Sequence, residues 1–205
     1  MVKQKTHGIL LGTHNKGKIA EFQQLFRGSC VHLLNQSAPD FEPAEETGLT
    51  FVENALLKAR HACEQTGLPS LADDSGLMVS ALGGAPGLYS ARYCGKGSSS
   101  EEKCRGIIRA LHDLEKNNPD EPLDRTAKFV CVLALVRTPD DPDPIISRAE
   151  WAGVIIHELK GAHGFGYDPI VYIPDQQCTV AALPPEKKAQ LSHRGQAVQR
   201  LLEAL

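Results

Sequence analysis

Gly8-Ile9-Leu10-Leu11-Gly12 runs straight into the polar hexapeptide Thr13-His14-Asn15-Lys16-Gly17-Lys18, after which Ile19, Phe22, Leu25 and Phe26 recur at helical spacing. A compact apolar run bounded by glycine reads as a buried strand, and the change of period reads as an amphipathic helix. A strand that passes into a helix through a short turn is the building unit of α/β sheets, which bind ligands at the carboxyl ends of their strands. The hexapeptide therefore lies where an α/β fold places its chemistry. It offers a hydroxyl, an amide, two cations and a glycine at a helix start, where free backbone N–H groups favour anions. The order is not that of a Walker loop, G-x-x-x-x-G-K-[ST], and an ordinary polar helix entry is the competing reading.

The same alternation continues. A second strand is expected at about Val31 to Leu34, then a loop rich in proline and glutamate from Gln36 to Gly48. Thr50-Phe51-Val52-Glu53 is a capping box. Val52, Ala55, Leu56, Ala59, Ala62 and Cys63 form the apolar stripe of the helix it opens, with Asn54, Lys58 and His61 on a polar face. Leu77 to Leu82 reads as a strand, before the turn Gly83-Gly84-Ala85-Pro86-Gly87 and the segment Ser90-Ala91-Arg92-Tyr93. A helix follows from about Ser99 to Glu115. Phe129 to Val136 and Ile145 to Leu159 read as long strands joined by the acidic run Thr138 to Pro144, a solvated turn without chemistry. Ile170 to Ile173 is the last strand, and Ala197, Val198, Leu201, Leu202 and Leu205 face inward from a terminal helix.

With 205 residues, 41% of them hydrophobic, the chain is long enough for a buried core, and without a repeat or long linker it is expected to be one domain, 1–205, of two lobes. A formal net charge of -3 argues against the broad basic surface that nucleic acid or a membrane requires, whereas a small anion needs only a local cluster of Lys and Arg. The six cysteines, at 30, 63, 94, 104, 131 and 178, show no C-x-x-C spacing for zinc or redox chemistry. No apolar run reaches the length of a membrane span and Met1 to His7 is too polar for a signal peptide, so the cytoplasm is the expected compartment.

Leu71-Ala72-Asp73-Asp74-Ser75-Gly76 ends an apolar run in two adjacent carboxylates, a hydroxyl and a glycine, as a metal and phosphate site does. Neighbouring strand residues point to opposite faces, so both carboxylates serve one site only if the chain turns there, which Gly76 allows. One would hold Mg2+ and the other activate water; the alternative is a solvated strand-to-turn junction. Glu45 and Glu46 offer further carboxylates, although acidic residues ahead of a helix also favour its positive end. Gly164-Phe165-Gly166-Tyr167-Asp168-Pro169 suits a base stacked on one ring with a carboxylate at its edge, or else a tight turn with core aromatics. Ser192-His193-Arg194-Gly195 supplies donors, or a cap and a solvated arginine.

Taken together, these segments resemble the inosine triphosphate pyrophosphatase family, in its bacterial dITP/XTP pyrophosphatase branch. The resemblance runs over nearly the whole chain. It rests on Thr13 to Lys18, Glu45 to Phe51, Glu53-Asn54-Ala55 with Lys58-Ala59-Arg60, Ala72 to Leu77, Gly83 to Gly87, Ser90 to Tyr93, Phe165 to Pro169 and Ser192 to Gly195, in that order and spacing. It implies an elongated α/β fold with a central mixed sheet flanked by helices, two lobes about a nucleotide-binding cleft, and a homodimer. It also implies Mg2+-dependent hydrolysis of XTP, ITP and dITP to the monophosphate and pyrophosphate. Carried over by motif, Thr13, Asn15, Lys18 and Lys58 would hold the triphosphate, and Glu46 and Asp74 the metal. Asp74 would accept the proton of the attacking water, beside Asp73 and Ser75. Phe165, Gly166, Tyr167, Asp168, Lys188, His193 and Arg194 would enclose base and sugar. Lys188 is chosen over Lys187 by its spacing from Ser192, and His14 and Lys16 receive no role.

Overall fold

The structure, a computed structural model, describes residues 8–34 and 42–205. Met1 to His7 and the first part of the loop expected from Gln36 lie outside the described residues. Strand β1 (Gly8–Leu11) leads into α1 (Lys16–Leu25) and β2 (His32–Leu34), then α2 (Phe51–Thr66) and β3 (Ser70–Val79). Two 3-10 turns, Ser80–Leu82 and Gly87–Arg92, precede α3 (Ser100–Asn117), β4 (Thr126–Val136) and β5 (Ile145–Ile155). The chain closes with β6 (Val171–Ile173), β7 (Cys178–Thr179), α4 (Pro185–Leu191) and α5 (His193–Glu203).

The strands form one seven-stranded mixed sheet in the order β2-β1-β3-β4-β5-β6-β7. β1 runs parallel to both β2 and β3, whereas β6 is antiparallel to β5 and β7. Around β3 both sheet faces are covered, as parallel strands require. Leu71 packs with Phe22 of α1, with Phe26 at its C-cap, and with Ala197, Val198 and Leu201 of α5. Ala72 faces the other way: a Cβ built on Gly12 would lie 3.5 Å from the Ala72 Cβ and 3.2 Å from the Ala62 Cβ of α2. Residues 70–74 are accordingly all buried.

The chain divides into two compact units. The first comprises the chain up to Asp74, Cys131–Ala149 and Arg194–Leu205; the second comprises Ser75–Val130 and Glu150–His193. Each has its own apolar cluster, one built around Phe22, Leu71, Leu133 and Leu201, the other around Leu77, Ile107, Trp151 and Ile170. Each fully buried side chain of this size contributes about 1.5–3 kcal/mol. Among the described residues no helix is long and apolar enough to cross a membrane.

Several expectations change. The strand expected at Leu77 to Leu82 is the second half of β3, which runs unbroken through Asp73-Asp74-Ser75-Gly76, so the expected turn is absent and Gly76 keeps an ordinary backbone conformation. β5 ends at Ile155 rather than Leu159. The segment before the terminal helix contains β7 and α4, both too short to print a period on the sequence. Asn54, placed on a polar face of α2, is buried, and Leu205, placed inward, is exposed beyond the end of α5.

Candidate functional site

The turn after β1 is organised by Asn15, the N-cap of α1. Its side-chain oxygen accepts the N–H groups of Gly17 (3.0 Å) and Lys18 (3.1 Å), and Thr13 Oγ1 accepts the Asn15 N–H (3.3 Å). Three of the turn's backbone donors are therefore already bonded within it. The side-chain donors that the turn offers a phosphate include the Thr13 hydroxyl, the Asn15 amide nitrogen and the Lys18 ammonium. Lys18 Nζ lies 2.6 Å from Asp73 Oδ1, and His14 and Lys16 are exposed.

Because β3 is continuous, alternation sends its two carboxylates to opposite faces, and each finds different partners. Asp73, 1% exposed, meets Lys18, Arg194 Nη2 at 3.2 Å and the Cys131 thiol at 3.7 Å. Burial alone would raise its pKa, but the charges of Lys18, Arg194 and Lys58 overcome this and hold the carboxyl far below the usual carboxylate range. Arg194 is also buried, with Nη1 2.5 Å from Glu21 and its guanidinium carbon 5.6 Å from the Phe22 ring centroid. Burial opposes its charge, yet Asp73 and Glu21 push its pKa up.

On the α2 side, Lys58 Nζ lies 2.6 Å from Asp74 Oδ1 and 3.0 Å from Glu46 Oε1. Burial pushes the Asp74 carboxyl up, and Lys58 offsets this only in part, while Glu46 adds a like charge that raises it further. Burial would lower the Lys58 pKa, but Asp74 and Asp73 keep it raised. Adjacent carboxylates are thus separated in basicity: Asp73 is locked in the ionised form, and Asp74 is the better proton acceptor. Glu46 belongs to a loop held against α2. Asn54 Oδ1 accepts the Gly48 N–H (2.8 Å), and Glu53 Oε2 accepts those of Leu49 (2.7 Å) and Thr50 (2.8 Å). A Cβ on Gly48 would lie 2.6 Å from the Glu53 Cβ, so the close approach itself requires glycine.

Among the described residues no three His, Cys, Asp or Glu side chains converge as a metal-binding group. Two carboxylates, Glu46 and Asp74, do reach one cation, the Lys58 ammonium. Mg2+ commonly takes one or two protein carboxylates and completes its octahedron with phosphate oxygens and water, so this donor set fits it.

The second unit holds another cluster. Asp168, buried, accepts the Phe165 N–H (2.9 Å) and pairs with Lys188 Nζ at 2.5 Å. The ammonium also lies 5.1 Å from the Phe165 ring centroid. Lys188, chosen over Lys187 by its spacing from Ser192, is buried, and Lys187 is exposed. Gly164 has φ +76°, and a Cβ there would lie 2.0 Å from Asp168 Oδ2. Phe165 is half-buried, whereas Tyr167 packs in the core and its hydroxyl donates to the Ser90 carbonyl at 2.9 Å. His193 stacks on Phe129 at 4.9 Å between centroids, and Ser75, half-buried, follows Asp74 on β3.

Sequence reasoning missed Glu21, Asn54 and Cys131, each bonded to a site residue or its loop. Glu21 had a signal, since it lies three residues after Lys18 on the same helix. Cys131 had none: it sits within an uninterrupted apolar strand.

Similarity to known proteins follows the whole chain. The chain is 50% identical over 197 residues to the dITP/XTP pyrophosphatase of Yersinia pestis, covering 96% of this chain and 97% of that protein. It is 46% identical over 197 residues to that of Coxiella burnetii, covering 96% of each. Among solved structures, a HAM1 protein from Coxiella burnetii superposes with a TM-score of 0.86 at 45% identity, covering 97% of this chain and 98% of the other. The nucleoside-triphosphatase / dITP/XTP pyrophosphatase of Mycobacterium abscessus gives 0.72 at 37% identity, covering 95% and 98%. The Ham1 family profile matches residues 9–204, and the chain belongs to the Ham1 family.

Proposed function

We propose that this chain hydrolyses the non-standard purine nucleoside triphosphates XTP, ITP and dITP to the monophosphate and pyrophosphate, and so keeps deaminated purines out of DNA and RNA. The dITP/XTP pyrophosphatases among its relatives support the reaction class. The observation that carries the reading is the convergence of Glu46 and Asp74 on Lys58, beside a strand-to-helix turn that presents Lys18.

In this reading Thr13, Asn15, Lys18 and Lys58 bind the triphosphate, whose several negative charges must be screened before water approaches phosphorus. Mg2+, held by Glu46 and Asp74, would supply Lewis-acid charge stabilisation. Asp74, with its raised pKa, takes the proton from the attacking water as the new P–O bond forms and the bond to pyrophosphate breaks. Asp73 stays ionised and holds Lys18 and Arg194 in place.

Phe165, Gly166, Tyr167, Asp168, Lys188, His193 and Arg194 are assigned to the base and sugar, and Ser75 to the substrate. For Tyr167, whose ring lies in the core, the backbone is the part available for contact. Donors arranged for a 6-oxo group are left unpaired by the 6-amino group of adenine, which makes ATP a poor substrate. We assign the two units to one catalytic domain that works as a homodimer in the cytoplasm, without nucleic acid or membrane partners.

The test is hydrolysis of ITP, dITP, XTP, ATP and GTP with and without Mg2+, assaying pyrophosphate and orthophosphate separately. Mg2+-dependent pyrophosphate release from ITP or XTP, with little from ATP and GTP, is the expected result. Orthophosphate release, or indifference to the base, overturns the proposal.

A further inference from the structure

Gly166, in the middle of the segment assigned to the base, is bonded through both ends of its residue to one helix outside that segment. Its N–H donates to Ser100 Oγ at 3.0 Å, and its carbonyl accepts from the Cys104 thiol at 3.3 Å. Ser100 opens α3 and Cys104 lies one turn further on, the spacing that puts two side chains on the same helix face. Gly166 has φ +64°, a left-handed conformation, so its peptide groups do not continue the direction of their neighbours and need partners of their own. After it, the Asp168 carboxylate accepts the Phe165 N–H and the Tyr167 hydroxyl donates to the Ser90 carbonyl, fixing the segment to itself and to Ser90. α3 is firmly seated in turn: Ser99 and Glu102 form a capping box, and Cys104, Ile107 and Leu111 are buried in the core of the second unit.

We propose that Ser100 and Cys104 are positioning residues for base recognition, setting the placement of Phe165 and Asp168 through the backbone of Gly166. The inference rests on the nucleotide pyrophosphatase reading above. It locates part of the specificity on a helix outside the segments assigned to the substrate. The thiol is suited to the task. Burial, followed by the nearby charge of Asp168, pushes the Cys104 pKa up to about 12, so it keeps its proton and remains a donor to the carbonyl. A hydroxyl would serve the same carbonyl, whereas a purely apolar side chain would leave it unbonded.

The experiment combines amide hydrogen exchange over residues 164–168 with ITP and ATP kinetics, for the wild-type protein and for Ser100→Ala, Ser100→Thr, Cys104→Val and Cys104→Ser. Loss of one such bond is expected to raise KM for ITP about three- to tenfold, to leave kcat within about twofold and to narrow the ITP-to-ATP ratio of kcat/KM. Exchange at the Gly166 amide should quicken in Ser100→Ala. The Thr and Ser replacements, which keep a hydroxyl, should recover both properties. Wild-type turnover of ITP with unaltered KM and exchange in the Ala and Val variants overturns the positioning role alone. Absence of pyrophosphate release by the wild-type protein overturns the nucleotide reading, and the positioning role with it.

Discussion

Asp73 and Asp74 are chemically identical neighbours that the fold treats in opposite ways. Asp73 is buried among cations that lower its pKa, so its ionised form stabilises the folded state at all pH values above the ordinary carboxylate value of about 3.9, and that contribution is lost as pH falls. Asp74 has a raised pKa, so its stabilising contribution is complete only below the ordinary value and disappears as pH rises through the folded one. At pH 7 its charge is therefore a cost. We expect Asp73→Asn to destabilise the protein by about 3–5 kcal/mol at pH 7, because it takes the shared counter-ion from buried Arg194 and half-buried Lys18. The difference from wild type should shrink from about pH 5 downwards. Asp74→Asn should be as stable as the wild type or more so, since Lys58 keeps Glu46, while turnover falls by about 10²–10⁴-fold. Urea unfolding from pH 7 to pH 4, with steady-state rates on ITP, checks both. A large stability loss in Asp74→Asn or none in Asp73→Asn would sink the contrast.

At the scale of the element, the turn between β4 and β5 shows how one buried carboxylate organises an apparently solvated segment. Asp141 Oδ2 accepts the Arg137 N–H (2.8 Å) and Oδ1 the Asp143 N–H (3.0 Å), and these bonds lower its pKa. Asp141→Ala is expected to lower stability by about 1–3 kcal/mol, against less than about 0.5 kcal/mol for its exposed neighbour Asp140→Ala, in thermal or urea unfolding. The local pattern marked a turn here without distinguishing Asp141 from Asp140. The same limit explains what else was legible. α1, α2 and α3 announced themselves because period and caps are local, and the Thr50–Glu53 capping box is present as read. β3 was read as broken because Asp-Asp-Ser-Gly is turn-like composition, while the cations that let Asp73 sit inside a strand come from Lys18 and Arg194, far away in the chain. Carboxylates and cations could be nominated from motifs. Which of them pair was decided by tertiary structure.

In the molecule as a whole, the division between the two units runs through regular elements rather than linkers: Asp74 and Ser75 lie in β3, Val130 and Cys131 in β4, Ala149 and Glu150 in β5, and His193 and Arg194 at the start of α5. Three continuous strands give the two cores a common backbone, and we expect one cooperative unfolding transition. Trp151, the single tryptophan, belongs to the core of the second unit, and Leu201 to that of the first. Leu201→Ala should lower stability by about 2–5 kcal/mol and shift the Trp151 fluorescence midpoint together with the circular dichroism midpoint. A fluorescence midpoint that stays at its wild-type value would instead identify two domains that unfold independently. The unbroken course of β3 also restricts how a chain of this kind can change over generations. Its two acids are told apart by parity alone, odd against even along the strand. One residue gained or lost between Ser70 and Asp73 would turn each acid to the opposite face, handing the Lys58 side to the acid now held by Lys18 and Arg194. A gain or loss of two would keep each acid on its own face but carry it about 7 Å along the strand, away from Lys18 or Lys58, so the run from Ser70 to Asp74 has one workable length.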